Sequence, residues 1–189
     1  MKTPLYIEHM SPAAMMTADE LLRLNLPDKR TELVRGVLVV REPAGYRHGA
    51  VTMNLAVAIN DFARPRKLGR VLAAETGFKL FSNPDTVRAP DVAFIRSDRV
   101  PEPPPAGFPP MAPDLAVEVL SPDDRPGAVL EKVGAWLNAG VRLVWVVDPM
   151  RSLARVYRTD GTETLLAAGD AFDGEDVLPG FACPLAEVL

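Results

Sequence analysis

The sequence predicts an α/β or α+β protein with a mixed central β-sheet flanked by helices, and two observations carry that reading. Two apolar runs, Leu115 to Leu120 and Val141 to Val147, bracket an amphipathic stretch, Ala128 to Ala139. A strand, a crossover helix and a second strand in this order form a parallel βαβ unit. Elsewhere, segments with helical spacing alternate with short extended runs bounded by turn residues. A length of 189 residues fits one domain over 1–189, and an apolar share of 48% is enough for a sizeable core.

Thr17-Ala18-Asp19-Glu20 has the pattern of a capping box, so a short helix starts there and stops near Pro27. Glu32 to Arg41 is strand-like, with a tight turn at Arg35-Gly36. Tyr46 to Ala63 is helical, because Val51, Leu55, Ile59 and Phe62 recur at spacings of three and four; Pro65 ends it. Val71 to Phe81 is extended, with Gly77 as a candidate bulge, and Asn83-Pro84-Asp85 is a turn. Ala89 to Ile95 is a strand opened by Pro90, and the proline-rich segment Pro101 to Pro113 is a loop. Ser121 to Asp124 is a turn able to cap the crossover helix, which Gly140 ends. Asp160-Gly161 joins Leu153 to Arg158 and Thr162 to Leu166 as a hairpin.

Composition narrows the function classes. No apolar run approaches the roughly 20 residues that span a bilayer, and the first residues, MKTPLYIEHMSP, lack an apolar signal core. A cytoplasmic protein without membrane association is expected. The single cysteine, Cys183, excludes an internal disulfide and a cysteine-built zinc site; its apolar flanks make it a packing residue. A net charge of −4 argues mildly against tight nucleic-acid binding, although Arg64, Arg66, Lys67 and Arg70 form a basic cluster. Taken alone, that cluster is a solvated helix end.

Glu118 is the most informative residue. Alternation in LAVEVL puts Ala116, Glu118 and Leu120 on one face and Leu115, Val117 and Val119 on the other. A carboxylate there is costly to bury unless it is paired or bound to a cation. The competing reading, an edge strand with Glu118 in water, is weakened by Leu120 on the same face. Asp91 after Pro90 is by itself an ordinary turn former. Set beside Glu118, 27 positions later on a second strand, it completes a pair of hard oxygen donors suited to Mg²⁺ or Mn²⁺. Lys132 precedes Trp136 by four residues and flanks the buried stripe of the crossover helix. Periodicity alone favours a snorkelling lysine at the stripe's edge. His48 falls on the apolar face of its helix, where a satisfied core histidine is usual. Glu32, at the start of a strand, is by default a surface carboxylate.

These segments taken together resemble a known family. Pro90-Asp91, Glu118-Val119-Leu120-Ser121-Pro122, Lys132 and AGVRLVWVVDP (Ala139 to Pro149) are similar to the Uma-two family, a bacterial group of restriction-endonuclease-like proteins in the PD-(D/E)xK superfamily. Glu32 to Gly36, His48 and Asp176 to Phe181 extend the match over nearly the whole chain. The resemblance implies a restriction-endonuclease-like core and a metal-dependent DNA endonuclease. Asp91, Glu118 and the Val119 carbonyl would ligate Mg²⁺ or Mn²⁺. Leu120 stands where the superfamily usually has its lysine, and Lys132 on the following helix would replace it. Glu32 would add a carboxylate, and His48 would contact phosphate or position water. A homodimer fits cleavage of a symmetric duplex. Two other classes stay open: a catalytically silent module that binds nucleic acid or protein, and a hydrolase of another phosphorylated substrate.

Overall fold

A computed structural model describes residues 15–189. The segment read for a signal core, and the start of the domain range that begins at residue 1, lie outside the described residues. The capping box forms: the Thr17 hydroxyl accepts from the Glu20 N–H, and the Glu20 carboxylate accepts from the Thr17 N–H, opening α1 (Ala18–Arg23). Strands β1 (Arg30–Val34) and β2 (Val37–Arg41) pair antiparallel across Arg35-Gly36. Both turn residues have positive φ, which explains the glycine. Helix α2 (Tyr46–Ala63) follows the expected bounds and buries Val51, Leu55 and Ile59.

Strands β3 (Gly69–Leu72), β4 (Phe78–Phe81), β5 (Thr86–Arg88) and β6 (Val92–Arg96) come next. Then follow β7 (Leu115–Val119), α3 (Pro126–Asn138) and β8 (Leu143–Asp148). The chain closes with β9 (Leu153–Arg158), β10 (Glu163–Leu166), β11 (Ala171–Asp173), β12 (Ala182–Pro184) and α4 (Leu185–Val188). A six-stranded sheet has the order β10-β9-β8-β7-β6-β3, and a four-stranded sheet has the order β2-β1-β5-β4. Only the β7–β8 pair of these ladders is parallel, as the βαβ pattern requires. The sheet is therefore mixed, as expected.

Strand alternation divides the core. Leu115, Val117 and Val119 pack with Val92, Phe94 and the α2 residues Val51, Leu55 and Ile59. Ala116 packs with Ala93, Val144, Val146 and the α3 residues Val133 and Trp136. The large sheet thus lies between α2 and α3, and Glu118 points to the α3 side. The segment Ala89-Pro90-Asp91 passes from β5 in the small sheet to β6 in the large one, so it joins both sheets next to Glu118.

Three local expectations are corrected. Val71 to Phe81 is two strands in different sheets rather than one extended run, because β3 pairs with β6 and β4 with β5. Gly77 is not the bulge; the register shift lies between Lys79 and Phe81, and a Cβ on Gly77 would stand 2.6 Å from the Phe108 ring. The turn at Ser121 to Asp124 does not cap α3, whose N-cap is Arg125 without a side-chain cap. Asp124 Oδ2 instead accepts the Ser121 N–H at 2.8 Å. The basic cluster at the end of α2 is exposed; Arg66 lies over the Phe62 ring at 4.1 Å. Cys183 is buried in the core on the α2 side.

Candidate active site

The antiparallel register of β6 and β7 pairs Val92 with Val117, which sets Asp91 and Glu118 one step further along the two strands. The Asp91 N–H donates to the Val117 carbonyl at 2.9 Å, so the ladder holds Asp91 although it precedes β6. Its Oδ2 accepts the Val119 N–H at 2.7 Å and lies 3.2 Å from His48 Nε2. His48 is therefore a buried partner of Asp91, with Thr52 Oγ1 3.5 Å from its other ring nitrogen. The expected core histidine and the expected site histidine are the same residue.

Lys132 does not snorkel. Its ammonium crosses from α3 to donate to Glu118 Oε2 at 2.8 Å and to the Ala89 carbonyl at 3.3 Å, and it lies 3.2 Å from Glu32 Oε1. Periodicity misleads here because a four-carbon stem at the edge of a helix stripe reaches the sheet as readily as it reaches water. Leu120, at the position usually taken by the superfamily lysine, packs into the α3-side core. Glu32 is not a surface carboxylate. It is buried, accepts from Arg88 at 3.0 Å and from the Ala89 N–H at 3.0 Å, and lies on β1 of the four-stranded sheet. All five side chains singled out in the sequence thus form one contiguous cluster drawn from β1, α2, the β5–β6 junction, β7 and α3.

Three residues of the cluster escaped the sequence reading. Trp136 Nε1–H donates to Glu118 Oε1 at 2.8 Å, so both Glu118 oxygens are engaged. Arg88 pairs with Glu32, and Arg30 Nη1 lies 3.6 Å from Asp91 Oδ1. Trp136 had a signal, since it faces the same way as Lys132 on α3. The two arginines had none, because β5 is too short to show a pattern and the strand run appeared to begin only at Glu32.

Glu118 and Glu32 share the Lys132 ammonium while Asp91 meets His48, and the proton affinities of the three carboxylates separate accordingly. Burial pushes Glu118 up to about 7; Asp91 and Glu32 add to this, and Lys132 opposes it. Burial also acts to raise Glu32, but the Lys132 and Arg88 charges and the Ala89 N–H outweigh it and hold the carboxyl at about 2. Asp91 is likewise lowered against its burial, by His48, Lys132 and the Val119 N–H. Lys132 is raised, because the surrounding carboxylates overcome the desolvation of its ammonium. A cavity of about 350 Å³ reaches this cluster at Asp91 and His48, and its wall also carries Lys29, Arg30, Asp28 and Glu75.

A mixed sheet between helices, with acids and a lysine converging where strands meet, defines the nuclease-type α/β class. A crystal structure of a "putative nuclease belonging to DUF820" from Anabaena variabilis has this fold: the TM-score is 0.79 at 21% identity, over 92% of this chain and 97% of that one. The chain belongs to the Uma2 family, described as "Putative restriction endonuclease", whose profile matches residues 18–186. No curated protein matches the chain. Among the described residues, no helix is long and apolar enough to cross a membrane.

Proposed function

We propose that this protein is a divalent-metal-dependent endonuclease that hydrolyses phosphodiester bonds in DNA. The observation that carries the reading is the convergence of Asp91, Glu118 and Lys132 from three separate elements, with Asp91 at the wall of an open cavity. A buried cluster of three carboxylates around one lysine serves no packing purpose that apolar side chains would not serve better.

The donor set fits a hard cation such as Mg²⁺ or Mn²⁺. Among the described residues, no three His, Cys, Asp or Glu side chains form a ready-made cage. The fit rests instead on two carboxylates and one backbone oxygen. Asp91 Oδ1 meets only the Arg30 guanidinium at 3.6 Å, beyond hydrogen-bond range. The N–H and C=O of a strand residue point to the same side, so the Val119 carbonyl shares the side on which its N–H meets Asp91. Asp91, Glu118 and the Val119 carbonyl would hold the metal. Bound there, it would supply an activated water and offset charge on the phosphoryl oxygens. Lys132 neutralises the carboxylate cluster and presents positive charge to the phosphoryl group. Glu32 holds Lys132, and His48 holds Asp91 at the wall of the cavity. A homodimer would bring two such sites to the two strands of a duplex.

One observation favours a catalytically silent binding module: Lys132 and Trp136 engage both Glu118 oxygens. The test is cleavage of supercoiled plasmid with Mg²⁺ or Mn²⁺, beside Glu118→Ala and an EDTA control. We expect metal-dependent nicking by the wild type and a loss of at least about a hundredfold in the variant. A wild type inert on plasmid, single strand and RNA with every metal tried would leave the binding module as the reading.

A further inference from the structure

Arg30 and Arg41 are directly opposed in the β1–β2 ladder, so both side chains rise from the same face. Like charges opposed across a strand pair repel and weaken it. Acid partners relieve this repulsion only in part. Arg30 stands 3.6 Å from Asp91, and its Nε donates to the Glu42 carbonyl at 3.3 Å. Arg41 meets Asp124 at 3.1 Å through Nη1, while its Nε is buried without a hydrogen-bond partner. Glu32 lies two positions from Arg30 on the same face of β1, and Arg88 pairs with it. The two guanidiniums therefore edge the acid cluster, one beside Asp91 and the other beside the turn that follows Glu118. Arg30 also lines the cavity.

We propose that Arg30 and Arg41 form a guanidinium clamp that binds backbone phosphate of a DNA strand entering the cavity. An anion between them would turn the cross-strand repulsion into attraction and occupy the orphaned Arg41 Nε–H. Guanidinium forks suit phosphate oxygens, which accept two parallel hydrogen bonds. The clamp also places positive charge at the site of a chain whose net charge is −4. It rests on the nuclease reading above, and neither arginine is assigned a part in the chemical step.

The test is anisotropy of a short fluorescein-labelled DNA duplex in EDTA, titrated with wild type, R30Q, R41Q and the double variant across a range of KCl. Losing the clamp should lower the slope of log Kd against log salt by about 0.9, the share of one phosphate, and the double variant should lower it no further than either single variant. R30K and R41K keep the charge, and so the slope, but should bind about tenfold more weakly because the fork is gone. Melting temperatures of the glutamine variants should stay within a few degrees of the wild type, since the partly exposed ion pairs that are lost are offset by the repulsion that is removed. Slopes unchanged in the glutamine variants, or affinity unchanged in the lysine variants, would overturn the clamp while leaving plasmid cleavage by the wild type intact. A wild type that binds no duplex would overturn the clamp and the DNA substrate together.

Discussion

At the scale of single residues, Glu118 and Glu32 sit in the same cluster and are driven in opposite directions. Glu118 is raised from its ordinary 4.5 to about 7, and Glu32 is lowered to about 2. A group raised on folding holds its proton more tightly in the native state. The stability from Glu118 is therefore complete below pH 4.5 and is lost as pH climbs to about 7. The stability from Glu32 is complete above pH 4.5 and is lost as pH falls toward about 2. Metal-free protein should thus melt at progressively lower temperature as pH rises from 4.5 to 7. Glu118→Gln should flatten that decline, because a glutamine cannot ionise. Parallel melting curves for wild type and variant over this window, in EDTA, would remove Glu118 as the cause.

At the scale of elements, the β3 edge of the six-stranded sheet depends on backbones that approach closely. Gly69 opens β3 against β6, and a Cβ there would stand 2.0 Å from the Ile95 carbonyl oxygen. No side-chain rotation relieves a backbone clash, so Gly69→Ala should cost about 1–3 kcal/mol, the usual range for overpacking. Chemical denaturation would measure it; an unchanged midpoint would mean that β3 moves aside freely. Asp114 marks the contrast between a structural acid and a site acid. It is buried, yet its carboxylate accepts from Arg99 at 2.7 Å and from the Arg96 N–H at 2.9 Å, and among the described residues no second carboxylate pairs with Arg99. Glu118 and Glu32 share one ammonium instead, with Asp91 beside Glu118 in the next strand, and that crowding of acids is what a cation would relieve.

At the scale of the whole molecule, metal affinity and folding are linked. A cation that binds only the native state stabilises it by about 2.7 kcal/mol at a hundred times its Kd. Mn²⁺ should therefore raise the melting temperature of the wild type, and the rise should disappear in Asp91→Asn and Glu118→Gln. This readout does not depend on turnover. An equal rise in all three proteins would place the cation elsewhere. The prediction belongs to this scale because the proposed ligands arise on β7 and on the β5–β6 junction, and only a folded chain brings them together.

The sequence by itself determined the elements with long, periodic patterns. Helix α2 and helix α3 were legible from the 3.6 period that burial on one face imposes, β7 and β8 from apolar runs buried on both faces, and the β9–β10 hairpin from its Asp160-Gly161 turn. Asp91 and Glu118 were legible as a pair because a carboxylate inside an apolar strand signals an unusual environment. Tertiary structure alone decided three other things. It split Val71 to Phe81 between two sheets, since strand partners lie far apart in sequence and leave no local mark. It turned Lys132 inward and buried Glu32, because the direction of a long side chain follows the charges around it rather than its position in a helix or strand. It also set Arg30 against Arg41, a neighbour relation fixed by the register of the β1–β2 hairpin.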